Sequence, residues 1–177
     1  MTGVYVALLR GVNVGGNNKL PMKALSAMCE AQGCKAVQTY IQSGNVVFRA
    51  TAKIAAAFPA KLKAQIKQEF GFETTAILRT AAELRAVTES NPFLALHSHV
   101  VFLESESDLT DVVRLNPICA GEEAFSLRGK EIFLYLPHGA GRSKLASYGY
   151  DKILRTVAST RNWRTVQKLL ALMAESV

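Results

Sequence analysis

The chain has 177 residues, 49% of them apolar and 20% charged, the proportions of one domain or of two small ones sharing a core. Collagen-like, disordered and disulfide-stapled classes are excluded, because a chain of this length buries about 70% of its unfolded surface without a metal or a cross-link. Lys and Arg exceed Asp and Glu by 21 to 14, and the net charge of +7 points to an anionic partner without naming one.

Val4 to Leu9 is a short β-rich apolar run without clean alternation, which predicts a central strand covered on both faces. A Gly- and Asn-rich loop follows from Arg10 to Lys19. Pro21 opens a helix over about 22–32, where its missing donor costs nothing, and Gly33 stops it. Strands are predicted at 37–41 and 46–49, joined at Gln42-Ser43-Gly44-Asn45, where both Gly44 and Asn45 tolerate positive φ. Ile54, Phe58, Leu62, Ile66 and Phe70 then step by four along one stripe of a helix over about 52–70, which Pro59 is expected to kink or divide. A strand from Thr74 to Leu78 closes a β-α-β-β-α-β order.

After a short helix near 81–89 and the Asn91-Pro92 breaker, the order begins again. Val100 to Leu103 reads as a strand, Ser107 to Leu115 as a helix carrying Leu109, Val112 and Val113, and 124–127 with 132–136 as a hairpin turning at Arg128-Gly129-Lys130. Helical segments are expected to fill the remainder. Gly44 and Gly129 hold equivalent hairpin places 85 residues apart, which suggests a structural pseudo-repeat. The expected fold class is therefore α+β: tandem ferredoxin-like (βαββαβ) units, 1–79 and 80–177, with extra C-terminal helices in one compact globule.

The charge is not evenly spread. Residues 1–72 carry +7, residues 73–131 carry −5 and residues 132–177 carry +5, so two basic segments flank an acidic one. No signal peptide is readable at Met1-Thr2-Gly3, and no apolar stretch approaches the roughly 18 residues of a membrane span. Cys29, Cys34 and Cys119 are odd in number and lack Cys-x-x-Cys spacing, which predicts reduced thiols and a cytoplasmic location. His97, His99 and His138 have no cysteine or carboxylate cluster beside them and are read as surface or strand-end residues. Neither a metal nor a cofactor is expected.

Four constellations bear on chemistry. Arg10-Gly11-Val12-Asn13-Val14-Gly15-Gly16-Asn17-Asn18-Lys19 has the parts of an anion cradle: glycines that turn N–H groups inward, a following helix start, and a cation at each end. Asn17 and Asn18 stand where a P-loop would place Lys and Ser/Thr, which excludes a Walker A nucleotidase. At Gln42-Ser43-Gly44-Asn45 a hairpin tip offers amides and a hydroxyl, Ser43 and Asn45 among them, although ordinary turn chemistry accounts for it equally. Arg142-Ser143-Lys144 is read as a helix entry, with Ser143 the N-cap and Lys144 a cation facing an anion there. At 159–165, Thr160 or Asn162 is expected to cap the last helix and Trp163 to anchor it. Arg161 then sits at a helix start, where a cation gains nothing from the dipole unless an anion is bound. No serine, cysteine or histidine has a sequence context that marks a nucleophile or base.

The runs Tyr5 to Gly16 and Thr39 to Phe48, with Lys144-Leu145 and Thr160-Arg161-Asn162-Trp163, resemble domain-of-unknown-function family 1697, a group of mostly bacterial proteins. The resemblance covers nearly the whole chain. It implies an α+β fold of ferredoxin-like organisation in a bacterial cytosol, and it implies no reaction, cofactor or catalytic residue. Tyr148-Gly149-Tyr150 departs from the regular helix expected there.

The leading expectation is a small anionic or phosphorylated ligand held by Arg10, Asn13, Gly15, Gly16, Asn18, Lys19, Ser43, Asn45, Lys144, Arg161 and Asn162. Nucleotides count among such ligands, and two rivals stand beside them: a module for single-stranded nucleic acid, RNA above all, and an interaction protein that forms a homo-oligomer by setting its acidic middle against its basic ends. An enzyme of phosphate transfer would need a base that the sequence does not display.

Overall fold

The computed structural model describes residues 2–93 and 95–176. The side chain of Leu109, expected on an apolar helix face, lies outside the described residues. In chain order the first half contains β1 (Thr2–Leu9), α1 (Met22–Ala31), β2 (Lys35–Tyr40), β3 (Asn45–Thr51), α2 (Ala52–Phe70), β4 (Ala76–Thr80) and α3 (Ala81–Ser90). The second half contains β5 (Ser98–Leu103), α4 (Leu109–Val113), β6 (Ala124–Arg128), β7 (Glu131–Tyr135), α5 (Tyr150–Leu154), β8 (Ala158–Asn162) and α6 (Trp163–Glu175).

The fold is α+β, with two four-stranded antiparallel sheets ordered β2-β3-β1-β4 and β6-β7-β5-β8. The chain divides into two compact units, residues 1–85 with 168–177, and residues 86–167. In the first, β1 lies between β3 and β4, and Val6, Ala7, Leu8 and Leu9 are all buried. Side chains alternate along a strand, so burial of four in succession means that both faces of β1 are covered. Ala7, Leu9, Val46 and Phe48 meet α1 through Leu25, Met28 and Cys29, and α2 through Phe58, Leu62 and Ile66. The Phe48 and Phe58 rings lie 4.6 Å apart between centroids, and burying each contributes roughly 2–3 kcal/mol.

Helix α2 starts where Thr51 Oγ1 accepts the Ile54 N–H at 3.3 Å and ends at Gly71, whose φ of 76° closes the last turn. Pro59 was expected to kink or divide it, yet a single helix runs from Ala52 to Phe70. The buried stripe of Ala55, Phe58, Leu62 and Ile66 spans both sides of the proline, so packing holds the helix across the lost hydrogen bond. In the second unit, Val101, Leu103, Ile132 and Leu134 form a core with Val112, Leu115, Leu145, Tyr150 and Leu154.

Two expectations about the second half are corrected. Residues 158–162 form a strand, β8, paired antiparallel to β5, where only helix was expected. Ala-Ser-Thr-Arg-Asn carries no apolar alternation, and its strand state follows from pairing with the buried β5. No helix opens at Ser143 either. Its Oγ accepts the Ala146 N–H at 3.1 Å and caps a turn, and α5 begins only at Tyr150, after Gly149.

Candidate functional site

The chain leaves the buried β1 at Leu9 and must reach α1 across an exposed segment. It does so by folding residues 13–18 into a small hairpin of its own. The Asn13 N–H donates to the Asn18 carbonyl at 3.1 Å and the Asn17 N–H to the Val14 carbonyl at 3.0 Å. Gly15 and Gly16, at φ 58° and 81°, make the turn between them, two successive positive values as in type I′.

The asparagines hold this loop in place. Asn13, itself at φ 54°, donates from Nδ2 to the carbonyls of Leu20 (2.8 Å) and Gln42 (2.7 Å), while its Oδ1 accepts the Leu20 N–H at 2.8 Å. Asn18 Nδ2 donates to the Gly11 carbonyl at 2.9 Å. The same loop lies against the β2–β3 hairpin tip. A methyl group at Gly44 would stand 2.4 Å from Val12 Cγ2 and 2.8 Å from Leu9 Cβ, so glycine is required there by space as well as by its φ of 72°. The second positive φ of that turn belongs to Ile41 at 49°, not to Asn45 as expected. Asn45 is buried at the first position of β3, and its Nδ2 donates to the Tyr40 carbonyl (3.1 Å) and to Ser43 Oγ (2.9 Å).

Beside the loop opens a polar cleft of about 280 Å³ lined by Arg10, Gly11, Asn18, Lys63, Glu73, Thr74 and Thr75. Three separate segments build it. The Arg10 N–H donates to the Thr75 carbonyl at 2.9 Å and Thr74 Oγ1 donates to the Arg10 carbonyl at 2.7 Å, which clamps residues 73–75 to the end of β1. Lys63 reaches the cleft from α2, and Glu73 bridges Lys63 (3.3 Å) and Lys67 (2.5 Å). The hydrogen bond from Lys67 and then the contacts of Lys63 hold the Glu73 carboxyl below its ordinary pKa, and Glu73 in turn raises that of Lys67. The cations lining the cleft are thus Arg10 and Lys63, against the Glu73 carboxylate.

The expected site residues separate accordingly. Arg10 and Asn18 come together on the cleft, Asn13 secures the loop from within, Gly15 and Gly16 form its exposed tip, and Lys19 is exposed at its end. Ser43 and Asn45 belong to the hairpin turn against which the loop packs. Lys144, Arg161 and Asn162 belong to the other unit, where Lys144 is exposed on a turn. Arg161 is not at a helix start. It is buried in β8, donating to Ser159 Oγ (2.9 Å) and the Thr160 carbonyl (2.8 Å), and burial lowers its pKa to about 10. Asn162 is the cap of α6, its Oδ1 accepting the Thr165 N–H at 2.8 Å.

Sequence reading missed Lys63, Glu73, Thr74 and Thr75, since a lysine on a solvated helix face and threonines before a strand carry no signal of convergence. It also missed Arg79, which occupies in β4 the place that Arg161 holds in β8 and donates in the same way to the preceding carbonyl, that of Leu78, at 2.9 Å. Burial pushes the thiols of Cys29 and Cys34 up to about 12 and 11, with Cys34 and Glu30 adding to the shift at Cys29. Thiols held protonated at pH 7 are poor nucleophiles. Among the described residues no three His, Cys, Asp or Glu side chains gather to hold a metal ion, and no helix is long and apolar enough to cross a membrane.

Two four-stranded antiparallel sheets of one strand order, with an elaborated loop after the first strand, define an α+β protein. The chain belongs to the family described as protein of unknown function DUF1697, which it matches over residues 1–133. A solved structure, that of conserved bacterial protein SP0830 from Streptococcus pneumoniae, is similar with a TM-score of 0.75 and 22% identity, covering 98% of this chain and 99% of that one. The likeness extends to the fold. Comparison with curated proteins gives no match.

Proposed function

We propose that this is a cytoplasmic protein built of two tandem ferredoxin-like units that binds a small anionic, phosphate-bearing ligand in the cleft beside the 13–18 hairpin. The carrying observation is that Arg10, Asn18, Lys63, Thr74 and Thr75, drawn from three segments, line one polar cleft with an excess of positive charge. Arg10 supplies a planar donor fork suited to a phosphate or carboxylate, and Thr75 supplies a short hydroxyl donor, the Thr74 hydroxyl being engaged by the Arg10 carbonyl. Glu73 competes with the ligand for Lys63, and so sets the affinity. The ferredoxin-like assignment draws support from the β-α-β-β-α-β element order and the shared strand order of the two sheets. A single-stranded RNA reading has less support, because a sheet that reads bases needs an open face and both faces of β1 are covered.

The test is a thermal-shift titration with inorganic phosphate, nucleotides and phosphosugars on the wild type, Arg10→Ala and Glu73→Gln. A ligand at a hundredfold excess over Kd stabilises by about 2.7 kcal/mol, a readily visible shift. Arg10→Ala is expected to lose that stabilisation and Glu73→Gln to increase it at equal ligand concentration. The reading fails if neither inorganic phosphate nor any phosphosugar stabilises the wild type, or if Arg10→Ala responds to these as the wild type does.

A further inference from the structure

The second unit holds a cavity of about 610 Å³, within the range of small-molecule sites, bordered by Leu96, His99, Asn162, Trp163, Arg164 and Gln167. The reading of the Arg10 cleft uses none of these residues.

Their chemistry is mixed in a specific way. Leu96, 87% exposed, and the small part of the otherwise buried Trp163 indole that reaches the cavity make an apolar wall. The polar groups are constrained. Asn162 Oδ1 is engaged in capping α6, which fixes the amide and leaves Nδ2 as its group to donate. His99 Nδ1 is sealed from solvent, which leaves Nε2 as the ring nitrogen able to meet an occupant. Gln167 adds a second amide one turn further along α6. Arg164 is exposed in the first turn of a thirteen-residue helix that has no acidic residue there. A cation at that position is disfavoured by the helix dipole, and an anion seated on the cavity wall would reverse the sign of the interaction.

We propose that this cavity is a second ligand site, for a planar heteroaromatic anion of the size of a nucleoside monophosphate. The ring lies on Leu96 against the exposed edge of Trp163, its polar edge meets His99, Asn162 and Gln167, and its anionic group pairs with Arg164.

Trp163 is the chain's single tryptophan, so its fluorescence reports on this cavity directly. Titrating the full chain with AMP and CMP, excited at the red edge of the indole band, is expected to give a saturable change in emission. Adenosine and ribose 5-phosphate, each holding half of the required chemistry, bind at least about tenfold more weakly. Arg164→Ala weakens AMP binding by about tenfold and His99→Gln by a smaller factor. Both variants are checked for the wild-type circular dichroism and urea midpoint. The proposal is overturned if neither monophosphate gives a saturable change, if adenosine or ribose 5-phosphate alone matches AMP, or if Arg164→Ala, folded, binds AMP as the wild type does.

Discussion

The two sheets repeat one design with different material around it. In each, the first strand of the unit is central, the last strand lies at its side, and that last strand ends in a buried arginine followed by a helix cap. At the end of β4, Thr80 Oγ1 accepts the Glu83 N–H at 3.2 Å while Glu83 accepts the Thr80 N–H at 2.7 Å, a capping box; at the end of β8, Asn162 Oδ1 accepts the Thr165 N–H. The differences lie between strands. The helix between β3 and β4 has 19 residues, whereas the one between β7 and β8 has 5. The connection after β1 folds its own hairpin, and α1 follows only at Met22; after β5, α4 begins at Leu109. The strand frame is what both units require, and the connections are where one departs from the other, so the departures are the regions free to carry function.

The largest test of that contrast is in the cores. Phe58→Ala removes a fully buried ring from the long α2 and is expected to cost about 4 kcal/mol, whereas Leu154→Ala, in the short α5, costs about 2–3 kcal/mol; urea unfolding measures both. Equal costs would mean that the short helix carries as much of its core as the long one. Next in size are the two hairpin glycines. Gly44→Ala meets Val12 and Leu9 and has a positive φ, for a cost of about 3 kcal/mol. Gly129→Ala has nothing within 4 Å and only its φ of 58° against it, for about 1 kcal/mol. Similar losses at the two positions would break the claim that the first hairpin alone is pinned by the loop beside it.

The smallest effect is one of pH. Burial, opposed in part by the His97 backbone, lowers the His99 pKa from its ordinary 6.5. A base with a depressed folded pKa contributes stability above the unfolded value that is lost as pH falls through the folded one. The urea midpoint is therefore expected to drop between pH 7.5 and 5, by less in His99→Gln than in the wild type. An identical pH profile in the variant would remove His99 as the source.

The local chemistry of the chain was largely legible. Pro21, Gly33, Gly71 and the stripe of five apolar residues spaced by four from Ile54 to Phe70 mark helix limits through propensity alone, and Gly129 marks the second hairpin for the same reason. Asn13 and Asn18 were legible as residues of an unusual loop, but their engagement with Leu20, Gln42 and Gly11 was not, because the same amide serves a ligand or a carbonyl equally well. The strand state of β8 was hidden as well, since a polar segment pairs only when a buried neighbour offers it hydrogen bonds.

By itself, then, the sequence determined the α+β class, the order of most elements, the membership in its family and the presence of a Gly- and Asn-rich loop between two cations. These follow from backbone preferences and apolar spacing, which act over a few residues. The tertiary structure alone decided that Arg10 meets Lys63, Glu73 and Thr74 across one cleft, that Arg161 is buried in a strand, and that His99 and Arg164 border one cavity. Those outcomes depend on strand register and on which helix face turns inward, and both are set by packing between segments far apart in the chain.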